Sequence, residues 1–187
     1  VELVRTASAL VGASDVEVIG PKRGVAEELV ELVRSVPGVL EASPLIGETV
    51  RIVTSDPAGV PLHVLGVDLL AERKSFDFEV EREKAIIRDP LSLLASPNSI
   101  LITAALAQRL GLELGATLPV RGASGAHELE IAGLITDGDF GRAYRGQIAV
   151  MDVYALQQLV AGEGFVDRID LVVESDEREQ VIERVQT

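Results

Sequence analysis

The sequence predicts an α+β fold, because strand–helix–strand patterns stand near both of its ends and a hairpin pattern follows the first. The first pattern covers residues 15–38, the hairpin covers residues 39–67, and the second strand–helix–strand pattern covers residues 146–174. The hydrophobic period alternates between that of a strand and that of a helix in these segments, as in β-α-β units. They predict a mixed layer of about four strands backed by two helices.

The first unit opens with a strand at residues 15–19 and continues into a helix. Pro37 and Gly38 end this helix, because proline cannot continue it and glycine accepts a left-handed turn. Such a helix needs a sheet on which to bury its apolar face. Five apolar residues at helical spacing predict that face: Val25, Leu29, Leu32, Val33 and Val36.

The hairpin is predicted from two β-branched runs, Val39–Thr54 and Val60–Val67. Between them lies Asp56-Pro57-Ala58-Gly59, in which proline presets one turn angle and glycine tolerates a positive φ. The two runs are therefore expected to pair as antiparallel strands.

The middle of the chain, residues 69–138, predicts a small α+β subdomain inserted into the first layer. Thr103 is expected to cap its main helix and Gly111 to end it. The remaining elements are a strand at Phe76–Val80, a helix from Pro90 to Leu94 capped by Asp89, strands at Ile100–Ile102, Thr117–Arg121 and Glu128–Ile135, and a turn at Gly122–Gly125.

The second unit begins with a short strand at residues 148–151, after which Asp152 is placed to cap a helix. Gly162 and Gly164 are expected to end that helix. In the strand that follows, residues 167–173, Ile169, Leu171 and Val173 alternate with Arg168, Asp170 and Val172. We expect one face of this strand to lie in the core and the other to be partly exposed to solvent.

Composition excludes several classes of function. The net charge is −13, from 30 acidic and 17 basic residues, and a surface of this sign repels nucleic acid and anionic lipid. The absence of cysteine excludes disulfides, thiolate catalysis and zinc–thiolate sites. Aromatic residues are only 3% of the chain, so few side chains can stack on bases, sugars or flat cofactors.

The two ends of the sequence look like interrupted helices. Residues 1–11 are mostly apolar and lack a capping residue, whereas Ser175 can cap a helix over residues 175–187 that no glycine or proline ends. No apolar run reaches the ~18–20 residues of a membrane-spanning helix. We expect the chain to be an internal fragment of a longer protein.

The two histidines, His63 and His127, do not predict a metal site. Strand alternation sends His127 and Glu128 to opposite faces, so a site made of His127, Glu128 and Glu130 is disfavoured against a solvated strand edge. The segment Asp137–Gly141 resembles the start of a calcium loop. Because Gly141 stands where a third Asp or Asn belongs, a turn or hinge is favoured there.

Catalysis is not predicted either. Ser14 and Ser124 lie in glycine-containing turns, and neither can be assigned a histidine base from the sequence. The sequence contains no dinucleotide fingerprint, P-loop, nucleophile elbow or zinc-protease motif. We therefore predict no catalytic, cofactor-binding or metal-binding residues and no enzyme activity.

Five segments, taken in order, resemble the extracytoplasmic (periplasmic) core domain of MacB-like and FtsX-like ABC transporter permeases, a group that includes lipoprotein-releasing permeases. They are Pro37-Gly38-Val39, Gly66-Val67-Asp68, Ile100–Gly115, Ile131–Ile135 and the pattern from Ile148 to Val173. None of the five is a catalytic motif and each is weak alone, but the five in this order are specific for the family.

One departure from the family pattern is visible. The family usually has Asp after the glycine at the position of Gly115, where this chain has Ala116. The difference affects one local turn hydrogen bond.

The resemblance implies a porter-like layer made of residues 1–68 plus 139–187, with the inserted subdomain at residues 69–138. It implies a domain on the extracytoplasmic side of the cell membrane, between the first and second transmembrane helices of a permease. The permease would couple ATP-driven movement of its membrane helices to export or extraction of a substrate. Its implied partners are an ABC ATPase subunit, a second permease copy forming a dimer, and a periplasmic or outer partner.

Two other hypotheses about the function remain open at this point. An extracytoplasmic sensor or ligand-binding module would need a concave apolar pocket with converging polar groups, and the scarcity of aromatic residues argues against it. An independent soluble enzyme would need a cluster of perturbed titratable groups, which the sequence does not assemble.

Overall fold

The computed structural model describes residues 14–21, 24–69, 85–87, 89, 96–135 and 143–185, which form eleven strands and four α-helices. The strands are β1 Val16–Ile19, β2 Val25–Ala26, β3 Val39–Ile52, β4 Val60–Val67, β5 Ala85–Ile87, β6 Ser99–Thr103, β7 Thr117–Gly122, β8 Gly125–Ile135, β9 Ile148–Asp152, β10 Phe165–Val166 and β11 Arg168–Val173. The α-helices are α1 Glu28–Arg34, α2 Ala104–Leu110, α3 Val153–Val160 and α4 Arg178–Val185. Residues 143–146 form a turn in which Tyr144 and Arg145 have a left-handed backbone. The predicted α+β class is confirmed.

Nine of the strands form one mixed sheet, in the order β1-β11-β3-β4-β9-β6-β8-β5, with β7 joining β3 to β8. Strands β3, β4, β9, β6, β8 and β7 therefore close into a ring. The predicted layer of about four strands is part of this larger sheet, because the strands of the middle segment pair directly with those of the first and last segments. The predicted division into residues 1–68 plus 139–187 and 69–138 stays a prediction.

Strand β3 is shared between the two parts of the sheet. Along its first half it pairs with β11, and along its second half it pairs with β4 on one edge and briefly with β7 on the other. The predicted hairpin is confirmed, since β3 and β4 are antiparallel from Leu45↔Val67 to Ile52↔Val60.

All six ring strands are buried on one face, and most of them are also buried on part of the other. One face of all six strands joins the helices in a first core that includes Val50, Leu62, Val64, Ile100, Leu118, Ile131, Ala149, Leu156 and Val181. The opposite face contributes to a second core made of Leu45, Leu65, Val67, Leu69, Leu101, Ala132, Ile135, Ile148 and Val150. Near-continuous apolar runs such as residues 148–151 are typical of strands covered on both faces.

The apolar face predicted for the first helix was wrong in part. Val25 is buried in β2, which pairs with β10, so the helix begins three residues later, at Glu28. Its buried residues are Val30 and Val33, whereas Leu29 and Leu32 are 40% and 64% exposed. The pairing of β2 sets where the helix starts and so shifts which positions face the sheet.

Helix α3 begins as predicted. Asp152 Oδ1 accepts hydrogen bonds from the amides of Tyr154 and Ala155, at 3.0 and 3.2 Å. The helix ends one residue before the predicted glycine, because Ala161 itself takes the left-handed conformation with φ +54°.

Four predicted features fall outside the described residues: the helical segment 1–11, the strand at 76–80, the helix at 90–94 and the acidic turn at 137–141. Among the described residues, no helix has the length and apolar character needed to cross a membrane.

Candidate functional site at the junction of the chain ends

The first and last parts of the described chain lie against each other. Strand β1 runs antiparallel to β11, and the Asp15 amide donates to the Leu171 carbonyl at 2.8 Å. The Asp15 carboxylate accepts a hydrogen bond from the Val173 amide at 3.1 Å. Arg178, in the first turn of α4, donates from Nη2 to the Asp15 carbonyl at 2.8 Å. We call this region the terminal junction, made of Asp15, Pro37, Gly38, Arg178, Val181 and Arg184.

Besides Arg178, one buried side chain and a second arginine hold helix α4 in the junction. Val181 is fully buried in the first core. Arg184 donates from Nη1 to the Pro37 carbonyl at 2.7 Å, and the Glu174 amide donates to the Gly38 carbonyl at 2.9 Å. The helix therefore packs on the turn between α1 and β3.

Gly38 allows this close approach. Its φ is +90°, and a Cβ built there would lie 2.6 Å from Glu177 Oε2 and 2.9 Å from Val181 Cγ2. Any larger residue would be strained in its backbone and would press against α4.

Strand β3 leads away from the junction. It is 14 residues long and begins one residue after Gly38. At about 3.3 Å per residue its extended length is at most about 43 Å. Strand β3 therefore connects the part of the chain that contacts α4 directly to the hydrogen-bonded strands of the ring.

Beside the junction, β11 carries a buried ion pair that the sequence did not predict. Arg168 and Asp170 are 5% and 3% exposed, so the face expected to be partly wet is buried at both positions. Arg168 Nε and Nη2 donate to Asp170 Oδ1 and Oδ2 at 2.7 and 2.9 Å, a bidentate arrangement, and Glu17 Oε1 lies 4.0 Å from Arg168 Nη1. The pairing satisfies both charges and makes burial tolerable.

A second group of polar residues joins α1 to α3. Gln157 donates from Nε2 to Glu27 Oε2 at 3.1 Å and to the Phe165 carbonyl at 2.9 Å. Arg34 Nη2 lies 3.7 Å from Asp68 Oδ2. Burial raises the pKa of Asp152, and the nearby Asp68 charge raises it further, against the lowering effect of the helix amides that it caps.

We expect Asp152→Ala to lower the free energy of unfolding by about 1 kcal/mol, because two helix amides lose their acceptor. Asp152→Asn keeps an acceptor oxygen and removes the buried charge. Since burial raises the pKa of Asp152, its contribution to stability is greatest below the ordinary value of 3.8 and declines as pH rises. At pH 7 Asp152→Asn should therefore be no less stable than the parent. Urea unfolding checks both, and equal destabilisation by the two variants would contradict the capping role.

The structure brings Ser124 and His127 together, so the expectation that Ser124 lacks a nearby histidine was wrong. Ser124 Oγ lies 2.7 Å from His127 Nε2 and donates to the Leu159 carbonyl at 2.6 Å. Since the hydroxyl has one proton, His127 is then the donor to Ser124 and not its base. The pair ties the β7–β8 turn to the end of α3. The sequence did contain a signal for this contact: His127 follows Ser124 by three residues, and Ser124 lies in a two-residue hairpin turn.

The other histidine is a packing residue. His63 Nδ1 lies 2.9 Å from Thr49 Oγ1, and its ring stacks at a tilt on Tyr144 with 4.1 Å between centroids. Burial lowers the pKa of His63. Within the described part of the chain, no three His, Asp or Glu side chains are placed to hold a metal ion.

Three solved structures share this architecture. The extracellular domain of the noncanonical ABC-type transporter YknZ from Gram-positive bacteria is 12% identical with a TM-score of 0.59, covering 86% of this chain and 80% of its own. The periplasmic region of MacB from Actinobacillus actinomycetemcomitans is 9% identical with a TM-score of 0.60, covering 98% and 85%. A domain of a putative permease protein from Porphyromonas gingivalis is 16% identical with a TM-score of 0.51, covering 91% and 70%.

The chain has the fold of extracytoplasmic ABC permease domains. The resemblance stated from the sequence is thereby confirmed for the fold. No protein-family model matches the chain, and no curated protein matches it.

Proposed function

We propose that this chain is a non-enzymatic, extracytoplasmic domain of an ABC transporter permease, which couples ATP-driven movement of transmembrane helices to export or extraction of a substrate outside the membrane. The terminal junction carries this proposal. The start of the described fold meets the beginning of its last helix there, because Arg178 in the first turn of α4 donates to the Asp15 carbonyl just before β1. Two membrane helices attached there would act on the same point of the domain.

The packing beneath the junction suits the transmission of force. Val181 lies in the first core, and β3 runs from the junction into the closed ring. A movement of the junction would therefore carry the ring with it, because close-packed interiors transmit displacement. Shifting the populations of two positions of such a domain from 1:99 to 99:1 requires about 5.5 kcal/mol of free energy.

The partners follow from the same proposal. ATP would be hydrolysed by an ABC ATPase on the other side of the membrane, acting through the membrane helices. A second permease copy would supply a dimer mate, and a periplasmic or outer partner would receive the substrate. The domain itself contributes no catalytic residue, cofactor or metal.

The location is tested by labelling a single introduced cysteine in the parent protein, produced in intact cells. Ser55 lies in the exposed β3–β4 turn, and this chain has no cysteine of its own. Ser55→Cys should react with a membrane-impermeant maleimide before the cells are opened. Ala149→Cys, at a fully buried position, should react only after denaturation. Labelling of Ser55→Cys only after the cells are permeabilised would overturn the proposal.

A further inference from the structure

The end of the β3–β4 hairpin contains a pocket of about 300 Å³. Its volume is at the lower end of the range found for small-molecule sites. We call it the arginine pocket, lined among others by Arg51, Val53, Thr54, Asp56, Gly59 and Arg121.

Two arginines stand side by side in this pocket. Arg51 on β3 is the direct cross-strand partner of Arg121 on β7, so both side chains leave the same face of the sheet. The next pair, Ile52 and Val120, is buried in the first core, which sends both arginines outward. Like charges directly opposite each other destabilise a sheet pair. In a chain of net charge −13, acidic residues to neutralise them are plentiful.

No such neutralisation is built into the pocket. Among the residues that the structure describes, neither Arg51 nor Arg121 forms an ion pair with a carboxylate. Arg51 donates from Nη1 to the Ala58 carbonyl at 2.9 Å, which fixes its guanidinium beside the turn and leaves its other N–H groups to face the pocket.

The acidic residue of the pocket, Asp56, is hydrogen-bonded within the turn. Asp56 Oδ1 accepts a hydrogen bond from the Ala58 amide at 2.9 Å, which stabilises the hairpin end. Its charge offsets part of the positive potential of the two arginines without pairing with either. The pocket thus combines two neighbouring arginines, one of them held by the turn, with one carboxylate that weakens their attraction for anions.

We propose that the arginine pocket binds a small molecule through an anionic oxygen group, a carboxylate or a phosphate. Guanidinium groups bind both in a bidentate manner, and two of them on one face can share one group between them. The site lies on β3 and β7 at the hairpin end, and it is independent of the coupling role of the terminal junction. Occupation would also relieve the repulsion between Arg51 and Arg121.

The proposal is tested by titrating the 187-residue protein with citrate and, separately, with inorganic pyrophosphate in phosphate-free buffer of low ionic strength. Amide shifts in the nuclear magnetic resonance spectrum report both the affinity and the place. We expect saturable shifts centred on residues 51–59 and 120–122. Affinity should fall when sodium chloride is raised, because salt screens exposed charges. The probe that binds more tightly identifies the group as carboxylate or phosphate.

Four variants separate a built site from general electrostatics. Arg121→Gln and Arg51→Gln should each weaken binding at least about tenfold, since a charged hydrogen bond is lost. Asp56→Asn keeps the acceptor for Ala58 and removes a negative charge, so it should tighten binding roughly two- to fivefold. Arg109→Gln, an exposed arginine of α2, makes the same charge change elsewhere and should leave the affinity within about twofold.

Three outcomes would overturn the proposal. They are the absence of saturable shifts at residues 51–59 with either probe, equal weakening by Arg109→Gln and Arg121→Gln, and weakening by Asp56→Asn in a protein whose spectrum remains folded. The gain expected from Asp56→Asn is informative because misfolding does not produce tighter binding.

Discussion

Asp170→Ala is expected to lower the free energy of unfolding by about 3–5 kcal/mol, because it leaves the buried Arg168 charge without its bidentate partner. The loss is large since Arg168 is only 5% exposed and donates to both carboxylate oxygens of Asp170. Equilibrium urea unfolding followed by circular dichroism measures the change. The midpoint should fall while the slope stays the same.

Glu17→Gln is the matched control for that prediction. Its carboxylate lies 4.0 Å from Arg168 Nη1 and is more exposed, so its removal should cost less than about 1 kcal/mol. If Asp170→Ala and Glu17→Gln proved equally mild, the buried pair would not be the stabilising contact that its geometry indicates. Replacing Arg168 and Asp170 together by Met and Leu should recover much of the loss, because no uncompensated charge then remains.

Gly38→Ala is expected to destabilise the protein by about 2–4 kcal/mol, from left-handed backbone strain together with a steric clash against α4. The new Cβ would lie 2.6 Å from Glu177 Oε2 and 2.9 Å from Val181 Cγ2. Helix α4 should loosen first, because the new methyl group would push against Val181, whose buried side chain anchors the helix. Amide hydrogen exchange of residues 178–185 would report that loosening alongside the global unfolding measured in urea.

Gly164→Ala provides the control, because its φ of +82° is close to that of Gly38 but a Cβ there would meet nothing within 4 Å. It should show the backbone strain alone, about 1–2 kcal/mol, with no change in exchange of α4. Equal effects of the two substitutions would show that Gly38 is required only for its φ and not for the contact with α4.

Local chemistry made several parts of the fold predictable from the sequence. Asp152 stands directly before a helical apolar pattern, and it caps α3. Thr103 and Gly111 bound α2 in the same way, with Thr103 Oγ1 accepting from the Leu106 amide and Gly111 in the left-handed conformation. The turn at Asp56-Pro57-Ala58-Gly59 fixed the register of β3 and β4. Each of these signals lies within a few residues of the structure that it specifies.

Features that depend on distant segments could not be predicted. The closure of the ring rests on the short pairing of β7 with β3, between residues some 70 positions apart. The burial of Arg168 and Asp170 depends on what covers the second face of β11, which strand alternation does not reveal. Similarly, β2 pairs with β10 and shifts the start of α1, which exposes Leu29 and Leu32. The terminal junction itself joins Asp15 to Arg178.

The coupling claim is tested most directly by the distance between two spin labels, one at Ser55→Cys in each copy of the proposed permease dimer, measured by pulsed electron paramagnetic resonance with and without ATP. We predict that ATP shifts the distance distribution, and that a Gly-Gly-Ser insertion between Glu174 and Ser175, directly before α4, abolishes the shift. The same insertion between Gly162 and Glu163, in the exposed turn after α3, should leave the shift intact. A distribution that ATP does not change, or a shift that survives the insertion before α4, would contradict the account.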